Sequence, residues 1–117
     1  MKRQKKVWGE RWLIRQDSTH ATSLLILKKG YRCSWHVHQT KWNLFVVIEG
    51  RVGIVTADGE TVLGPGEEFT IGPNEFHEFR VYTDGMMIEE MYVEYDDEDI
   101  DRTKLGGPLD KKDRKIK

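Results

Sequence analysis

Short runs of β-forming residues, separated by turn-forming residues, constrain the fold of this chain more than any other feature. His20–Leu27 and Asn43–Ile48 are rich in aliphatic and β-branched side chains and too short for ordinary helices. Glycine, proline and Asp-Gly turns separate such runs at intervals of about 8–12 residues. The remaining predicted strands are Arg51–Thr56, Thr61–Leu63, Glu67–Ile71, His77–Tyr82 and Met86–Tyr95. The pattern predicts an all-β sandwich or barrel.

The distribution of charge indicates one acidic domain with basic ends. The chain has 117 residues, enough for a single domain. Of its 19 basic residues, four lie in residues 1–6 and five in residues 111–117, which leaves ten basic against 19 acidic residues between them. We expect basic, solvated tails at residues 1–6 and 108–117 around a domain at residues 7–107. An acidic body argues against nucleic acid as a partner.

Other sequence features point to a cytoplasmic protein without a membrane partner. No apolar run approaches the roughly 20 residues that a membrane helix needs. The basic N-terminus is not followed by the apolar core of a signal peptide. A single cysteine, Cys33, excludes a disulfide framework and favours a reducing compartment.

The histidines are the residues most able to carry chemistry. His36 and His38 are two positions apart, so in a strand both imidazoles would project from one face. Neutral imidazole is a common ligand of zinc, iron, copper and nickel. Without a metal, the pair could be exposed or hydrogen-bonded, or could form a polar pocket with His77. His20 is expected at the surface.

The spacing of these histidines resembles that of the cupin superfamily. Gly30, His36, His38, Asn43 and Gly50 follow the spacing of its first motif. The segment GPGEEFTIGPNEFH, which ends at position 77, is similar to its second motif. The resemblance implies a double-stranded β-helix, also called a jelly-roll barrel. It also implies one divalent metal ion (zinc, manganese, iron or nickel) held by the two histidines of the first motif and the one of the second.

Two departures from the cupin motifs bear on the site. Asn43 occupies the position of the family's glutamate ligand, and an amide oxygen is a neutral, weaker donor, so we expect it to be at most a fourth ligand. In the second motif, Gly72, Asn74 and Val81 replace proline, glycine and asparagine. Asn74 suits its position because asparagine tolerates the left-handed conformation that such a turn needs.

A narrower resemblance, to the C-terminal cupin domain of type II mannose-6-phosphate isomerases, covers most of the chain. It rests on Val7–Trp12, Trp42–Gly50 and Glu94–Gly107, although those isomerases have glutamine at the position of His36. The resemblance implies a sugar or sugar-phosphate ligand and, if the chain is an enzyme, metal-dependent isomerisation. Two alternatives stay open: an iron-dependent dioxygenase with three histidine ligands, and a non-catalytic sugar-binding or sensor domain.

Strand alternation extends the list of candidate residues. If Asn43 faces inward, Phe45 and Val47 also face the pocket. Either Glu89 or Glu90 would face inward from the last long strand, and these two carboxylates are the candidates for proton transfer.

Alternation also bears on Cys33 and on assembly. Cys33 has the opposite parity to His36, so we expect a buried, inert thiol that points away from the site. Asn43–Ile48 is apolar on both faces, which favours a homodimer.

Overall fold

The computed structural model describes residues 1–93 of the chain, which form nine β-strands. Their bounds are β1 Lys2–Lys6, β2 Gly9–Gln16, β3 His20–Leu27, β4 Trp42–Glu49, β5 Val52–Thr56, β6 Gly59–Leu63, β7 Glu68–Ile71, β8 His77–Val81 and β9 Gly85–Tyr92. Every strand predicted from the sequence is present, with small differences at the ends. The described residues contain no helix that could cross a membrane.

The strands form two antiparallel sheets, as expected of a single-domain jelly roll. The larger sheet has the order β1-β2-β3-β9-β4-β7 and the smaller has the order β6-β5-β8. Strands close in sequence are joined by hairpins, such as β5–β6, whereas β9 inserts between β3 and β4. The prediction of an all-β fold is therefore confirmed.

Strand β4 shows how the larger sheet divides its side chains between two faces. Phe45 and Val47 are buried in the core, whereas Leu44 and Val46 are partly exposed on the opposite side. We call the side that faces the core the inner face and the opposite side the outer face. The core cluster comprises Trp8, Leu25, Leu27, Cys33, Phe45, Val47, Val52, Ile54, Leu63, Ile71, Phe79, Val81 and Met87.

The N-terminus differs from the expectation of a solvated tail. Lys2–Lys6 forms edge strand β1, which pairs with β2 from Lys2 opposite Leu13 to Lys6 opposite Gly9. Charged side chains are compatible with an edge strand because they can extend into solvent while the backbone pairs on one side. The Arg3 guanidinium also lies 4.2 Å from the centre of the Trp12 ring, in a cation–π contact.

The hairpin between β1 and β2 depends on a glycine. Gly9 has a φ of +138°, and a Cβ added there would lie 1.9 Å from the carbonyl oxygen of Ile26. No other residue fits so close to the backbone of β3. The expected tail at residues 108–117 and the segment Glu94–Gly107 lie outside the described residues, so the boundary at residue 107 stays a prediction.

Candidate metal centre

Backbone pairing places the first and last of the three histidines side by side. The backbone N–H of His36 donates to the backbone carbonyl of His77 at 3.0 Å, and the backbone N–H of His77 donates to the carbonyl of His36 at 2.9 Å. Residues that exchange both backbone hydrogen bonds project their side chains from the same side of the ladder. The imidazole centroids of this pair are 4.3 Å apart.

The turn before β8 places the third histidine. The backbone N–H of Asn74 donates to the carbonyl of His38 at 2.7 Å. Asn74 has a φ of 62°, the left-handed conformation expected for the turn. The His38 ring lies 5.0 Å from that of His36 and 5.6 Å from that of His77.

The three side chains form a compact nitrogen cluster. One ring nitrogen from each of His36, His38 and His77 lies within 4.8 Å of the other two. We call this group the three-histidine cluster. Within residues 1–93 no aspartate, glutamate or cysteine belongs to it.

Backbone carbonyls determine which nitrogen of two rings is free. The Nδ1 of His36 lies 2.7 Å from the carbonyl oxygen of Ser34, and that of His77 lies 2.9 Å from the carbonyl oxygen of Glu75. A carbonyl can only accept, so each Nδ1 carries the proton and each Nε2 keeps its lone pair. Metal-binding histidines are commonly oriented in this way.

Two rings of the cluster, those of His38 and His77, are in an environment that suits a metal ion. Burial lowers the pKa of His38 and of His77, and the neighbouring imidazoles lower both further. The Nε2 atoms of both rings are buried and have no hydrogen-bond partner among the described residues. Buried, neutral and unpartnered nitrogen donors fit a divalent transition metal.

An extra residue in the segment between β3 and β4 overturns the expectation for Cys33. The segment pairs with β8 through two isolated bridges, Arg32 to Arg80 and His36 to His77. The bridged residues are four positions apart in this segment but three positions apart in β8, so the segment contains one extra residue. Such a bulge reverses the alternation of side chains beyond it. Cys33 and His36 therefore line the same cavity instead of facing opposite ways.

The Cys33 thiol is nevertheless buried, as expected. Burial raises its pKa to about 11, so it stays protonated near neutral pH. Its sulfur accepts a hydrogen bond from the backbone N–H of Phe79 at 3.1 Å. The expectation of a buried thiol is confirmed, whereas its predicted direction is wrong.

A polar network continues from the inner face toward the cluster. Asn43 is fully buried, and its Nδ2 donates to Glu89 at 3.1 Å. The other oxygen of this carboxylate lies 3.8 Å from the Nε of Arg11, which also donates to the hydroxyl of Ser23 at 3.1 Å. Burial raises the pKa of Glu89, and the charge of Arg11 opposes this change. The Oδ1 of Asn43 is buried and has no partner within the described part of the chain.

A cavity of about 510 Å³ joins the cluster to this network. Its wall includes His36 and His38 from the cluster, the Glu89 carboxylate, and the cationic side chains Lys6 and Arg11. The rest of the lining is mainly apolar and comprises Val7, Trp8, Leu25, Cys33, Ser34, Phe79 and Met91. The cavity therefore combines nitrogen donors, one carboxylate and two cations on an apolar frame.

Comparison with known proteins identifies the family at this point. A model of the cupin domain matches residues 23–89, more than half of the chain. The chain belongs to the cupin family. No curated protein sequence matches it significantly.

Solved cupin structures share the fold of this chain. The structure of KdgF from Halomonas sp. has a TM-score of 0.73 at 16% sequence identity and covers 84% of this chain and 93% of its own. An RmlC-like cupin from Shewanella frigidimarina has a TM-score of 0.67 at 20% identity, with 75% and 78% covered. A cupin-2 domain protein from the same organism has a TM-score of 0.61 at 20% identity, with 68% and 76% covered. At these identities the likeness establishes the fold alone.

The cupin barrel resolves the alternatives that strand alternation left open. Glu89 lines the cavity beside the cluster, whereas Glu90 lies on the outer face, 3.8 Å from His20. His20 is 43% exposed, as expected for a surface residue. Phe45 and Val47 do face inward, but they lie in the closed core and other side chains form the cavity wall. The Phe45 ring contacts His77 edge-on, with centroids 6.2 Å apart.

Sequence reasoning missed the wall contributed by the N-terminus. Lys6, Trp8 and Arg11 all line the cavity, yet none was a candidate site residue. The composition of residues 1–6 predicts a tail, which leaves Lys6 out of the site, whereas alternation along residues 9–13 is enough to place Arg11 on the inner face. Only the pairing of β1 with β2 brings Lys6 to the cavity.

Proposed function

We propose that this cupin binds one divalent transition metal through His36, His38 and His77 and acts on a sugar or sugar phosphate in the adjoining cavity. The observation that carries the proposal is the three-histidine cluster, in which the Nε2 atoms of His38 and His77 are buried without a partner among the described residues, beside a cavity with an internal carboxylate. Imidazole donors suit zinc, iron or nickel, whereas manganese prefers oxygen ligands. Polar groups on an apolar frame suit a small hydroxylated ligand.

Isomerisation is the reaction that these groups support best. A bound metal ion would supply Lewis acidity to a carbonyl or hydroxyl of the ligand. Glu89 would accept a proton from one carbon and return it to the neighbouring carbon. Its two oxygens are oriented by Asn43 and Arg11, so the carboxylate is positioned before the ligand enters. Trp8 and Phe79 pack together, with ring centroids 5.0 Å apart, and form an apolar wall.

Metal content and turnover test this proposal together. Untagged protein, purified without added metal or chelator, should contain about one metal ion per chain by elemental mass spectrometry. With zinc, manganese or nickel bound, it should convert D-mannose 6-phosphate to the 2-ketose, followed by NMR. A metal content below about a tenth of an ion per chain, which does not rise when the protein is soaked with metal ions, would contradict the metal site. A full equivalent without turnover would favour a sugar-binding or sensor domain.

A second candidate, an iron-dependent dioxygenase, is favoured by the all-nitrogen donor set of the three-histidine cluster. None of the described acidic residues joins the three histidines. Three neutral ligands leave several positions of an iron ion open to substrate and oxygen. About one iron per chain with oxygen uptake would favour this candidate. Bound zinc or manganese without oxygen uptake would count against it.

We also propose that two copies associate through the outer face of the larger sheet. This face carries ten large apolar side chains that are partly or largely exposed: Trp12, Leu24, Ile26, Trp42, Leu44, Val46, Ile48, Met86, Ile88 and Tyr92. Six strands of up to eight residues present an area on the order of 700 Å². A stable dimer buries roughly 800 Å² on each partner. Light scattering at micromolar concentration should give twice the chain mass, and a monomer would contradict the proposal.

A further inference from the structure

The cavity of the proposed enzyme carries two cationic side chains that the metal centre does not use. Lys6 and Arg11 both line it, and Glu89 is the only acidic residue among the lining residues. Strand alternation explains their position. Arg11 on β2 lies opposite the buried Leu25, and Lys6 at the end of β1 lies opposite Gly9, so both side chains project from the inner face. With neutral histidines, the described cavity wall is therefore positive by about one charge, counting Glu89 as ionised.

The hydrogen bonds of Arg11 leave much of its guanidinium free for a ligand. In residues 1–93, the structure shows this side chain donating from Nε alone, to the hydroxyl of Ser23. The contact with Glu89 also uses Nε, at 3.8 Å. Both contacts orient the group, and the two terminal nitrogens keep their four N–H donors. A planar pair of donors of this kind matches the oxygens of a phosphate or carboxylate.

Lys6 complements this group as a flexible point charge. It is exposed at the end of the edge strand, so its ammonium can move to meet a ligand at the cavity mouth. The neighbouring Lys5 points to the outer face and is absent from the cavity wall. Two adjacent lysines thus differ only in which face of the sheet they occupy.

We propose that Lys6 and Arg11 form an anion subsite, which binds the phosphate or carboxylate of a small ligand whose other end faces the three-histidine cluster. The inference rests on the proposed function, whose substrate it narrows to an anionic sugar derivative. It assigns to the N-terminal strand a part in selecting that substrate. The subsite binds the ligand and takes no part in the proton transfer.

Matched lysine variants test the subsite without disturbing the core. The probes are D-mannose 6-phosphate, D-glucuronate and neutral D-mannose, titrated calorimetrically into wild-type, Lys6→Gln and Lys5→Gln protein in the metal-loaded form. Loss of a charge-assisted hydrogen bond should weaken binding of at least one anionic probe about tenfold in Lys6→Gln. Lys5→Gln, which removes the same charge from the other face, should bind the anions as wild type does. The phosphorylated and carboxylated probes distinguish the two sources of negative charge.

The outcomes separate this inference from the proposed function. Equal anion affinity in the two lysine variants, or no binding of either anion by the wild-type protein, would overturn the subsite. Metal content measured on the same samples reports on the histidine centre independently. A loaded centre with no effect of Lys6 contradicts the subsite alone, whereas an empty centre contradicts the proposed function. Arg11→Lys, which keeps the charge but loses the paired donors, should weaken phosphate binding while retaining the metal.

Discussion

On the larger sheet, the face turned toward the interior carries Ser23, Asn43 and Glu89 among its apolar core residues, whereas the face turned to solvent carries Leu24, Val46 and Ile88. A sheet that served only to cover a core would keep its polar side chains on the solvent face. Burying an amide and a carboxylate costs free energy unless they are paired, and exposing aliphatic side chains forgoes the gain from burial. Both costs are understandable if the inner face forms a site and the outer face forms an interface.

The largest effect, loss of the whole metal centre and with it all turnover, is expected at the three-histidine cluster. His77→Ala removes one of three donors from the buried end of the site, so the bound metal should fall from about one ion per chain to less than a tenth. His20→Ala, which removes a histidine from the outer face, should keep the full metal content. Elemental mass spectrometry of both variants measures the difference. Equal metal content in the two would place the metal elsewhere.

A second effect, on turnover, is expected at the internal carboxylate. Glu89→Gln should lower isomerase turnover by roughly a hundredfold to a thousandfold, because the amide cannot accept the proton. Glu90→Gln, on the outer face, should keep nearly full turnover. Burial raises the pKa of Glu89, so a neutral amide of the same shape should melt at an equal or higher temperature. Calorimetry then distinguishes loss of chemistry from unfolding, and equal turnover in both variants would exclude Glu89 as the proton-transfer group.

The Cys33 thiol reports how well the inner cavity is protected. With a pKa of about 11, it should react with iodoacetamide at pH 8 on the order of a hundredfold more slowly than a free thiol. Between about pH 9 and pH 11 the unfolded chain releases this proton more readily than the native state. Native stability should therefore fall over that range relative to a Cys33→Ala variant, as measured by urea denaturation. Labelling at the rate of a free thiol would show that the cavity opens readily.

The smallest effect is expected on the outer face. Ile88→Glu places a charge in the centre of the apolar surface, so the dimer dissociation constant should rise at least tenfold. Val62→Glu is a matched control, since Val62 is 46% exposed on the smaller sheet. Light scattering over a dilution series measures both, and metal content should be unchanged in each. If the Ile88→Glu variant forms the dimer as wild type does, the interface lies on another surface.

The sequence predicts the strands well because their signals are local. Apolar runs and the turns between them identify β3 to β9 within a few residues, and the asparagine at position 74 predicts its left-handed turn. The spacing of the histidines also predicts the cluster. In the structure, pairing between His36 and His77 brings the two distant motifs together. Regular alternation beyond position 43 also predicts which way Asn43, Phe45 and Val47 face.

The sequence does not predict the features that depend on exceptions to regular pairing. One extra residue between the bridges at Arg32 and His36 turns Cys33 toward the cavity, and nothing in the local sequence marks that bulge. The basic N-terminus has the composition of a tail, yet its backbone completes a sheet edge. The choice between Glu89 and Glu90 required the register of β9 against β3 and β4, which is a non-local property.

The three histidines belong to two chain segments that are far apart in sequence and that meet at the cluster through the bridge of His36 with His77 and the hydrogen bond from Asn74 to His38. An ion held between them would close a long loop in the manner of a removable cross-link. Because the unfolded chain has no such preformed arrangement, each increase in free metal concentration would shift the folding equilibrium toward the native barrel. The amount of folded protein in a cell would then follow metal supply, so that depletion would expose the chain to proteolysis before any change in its synthesis.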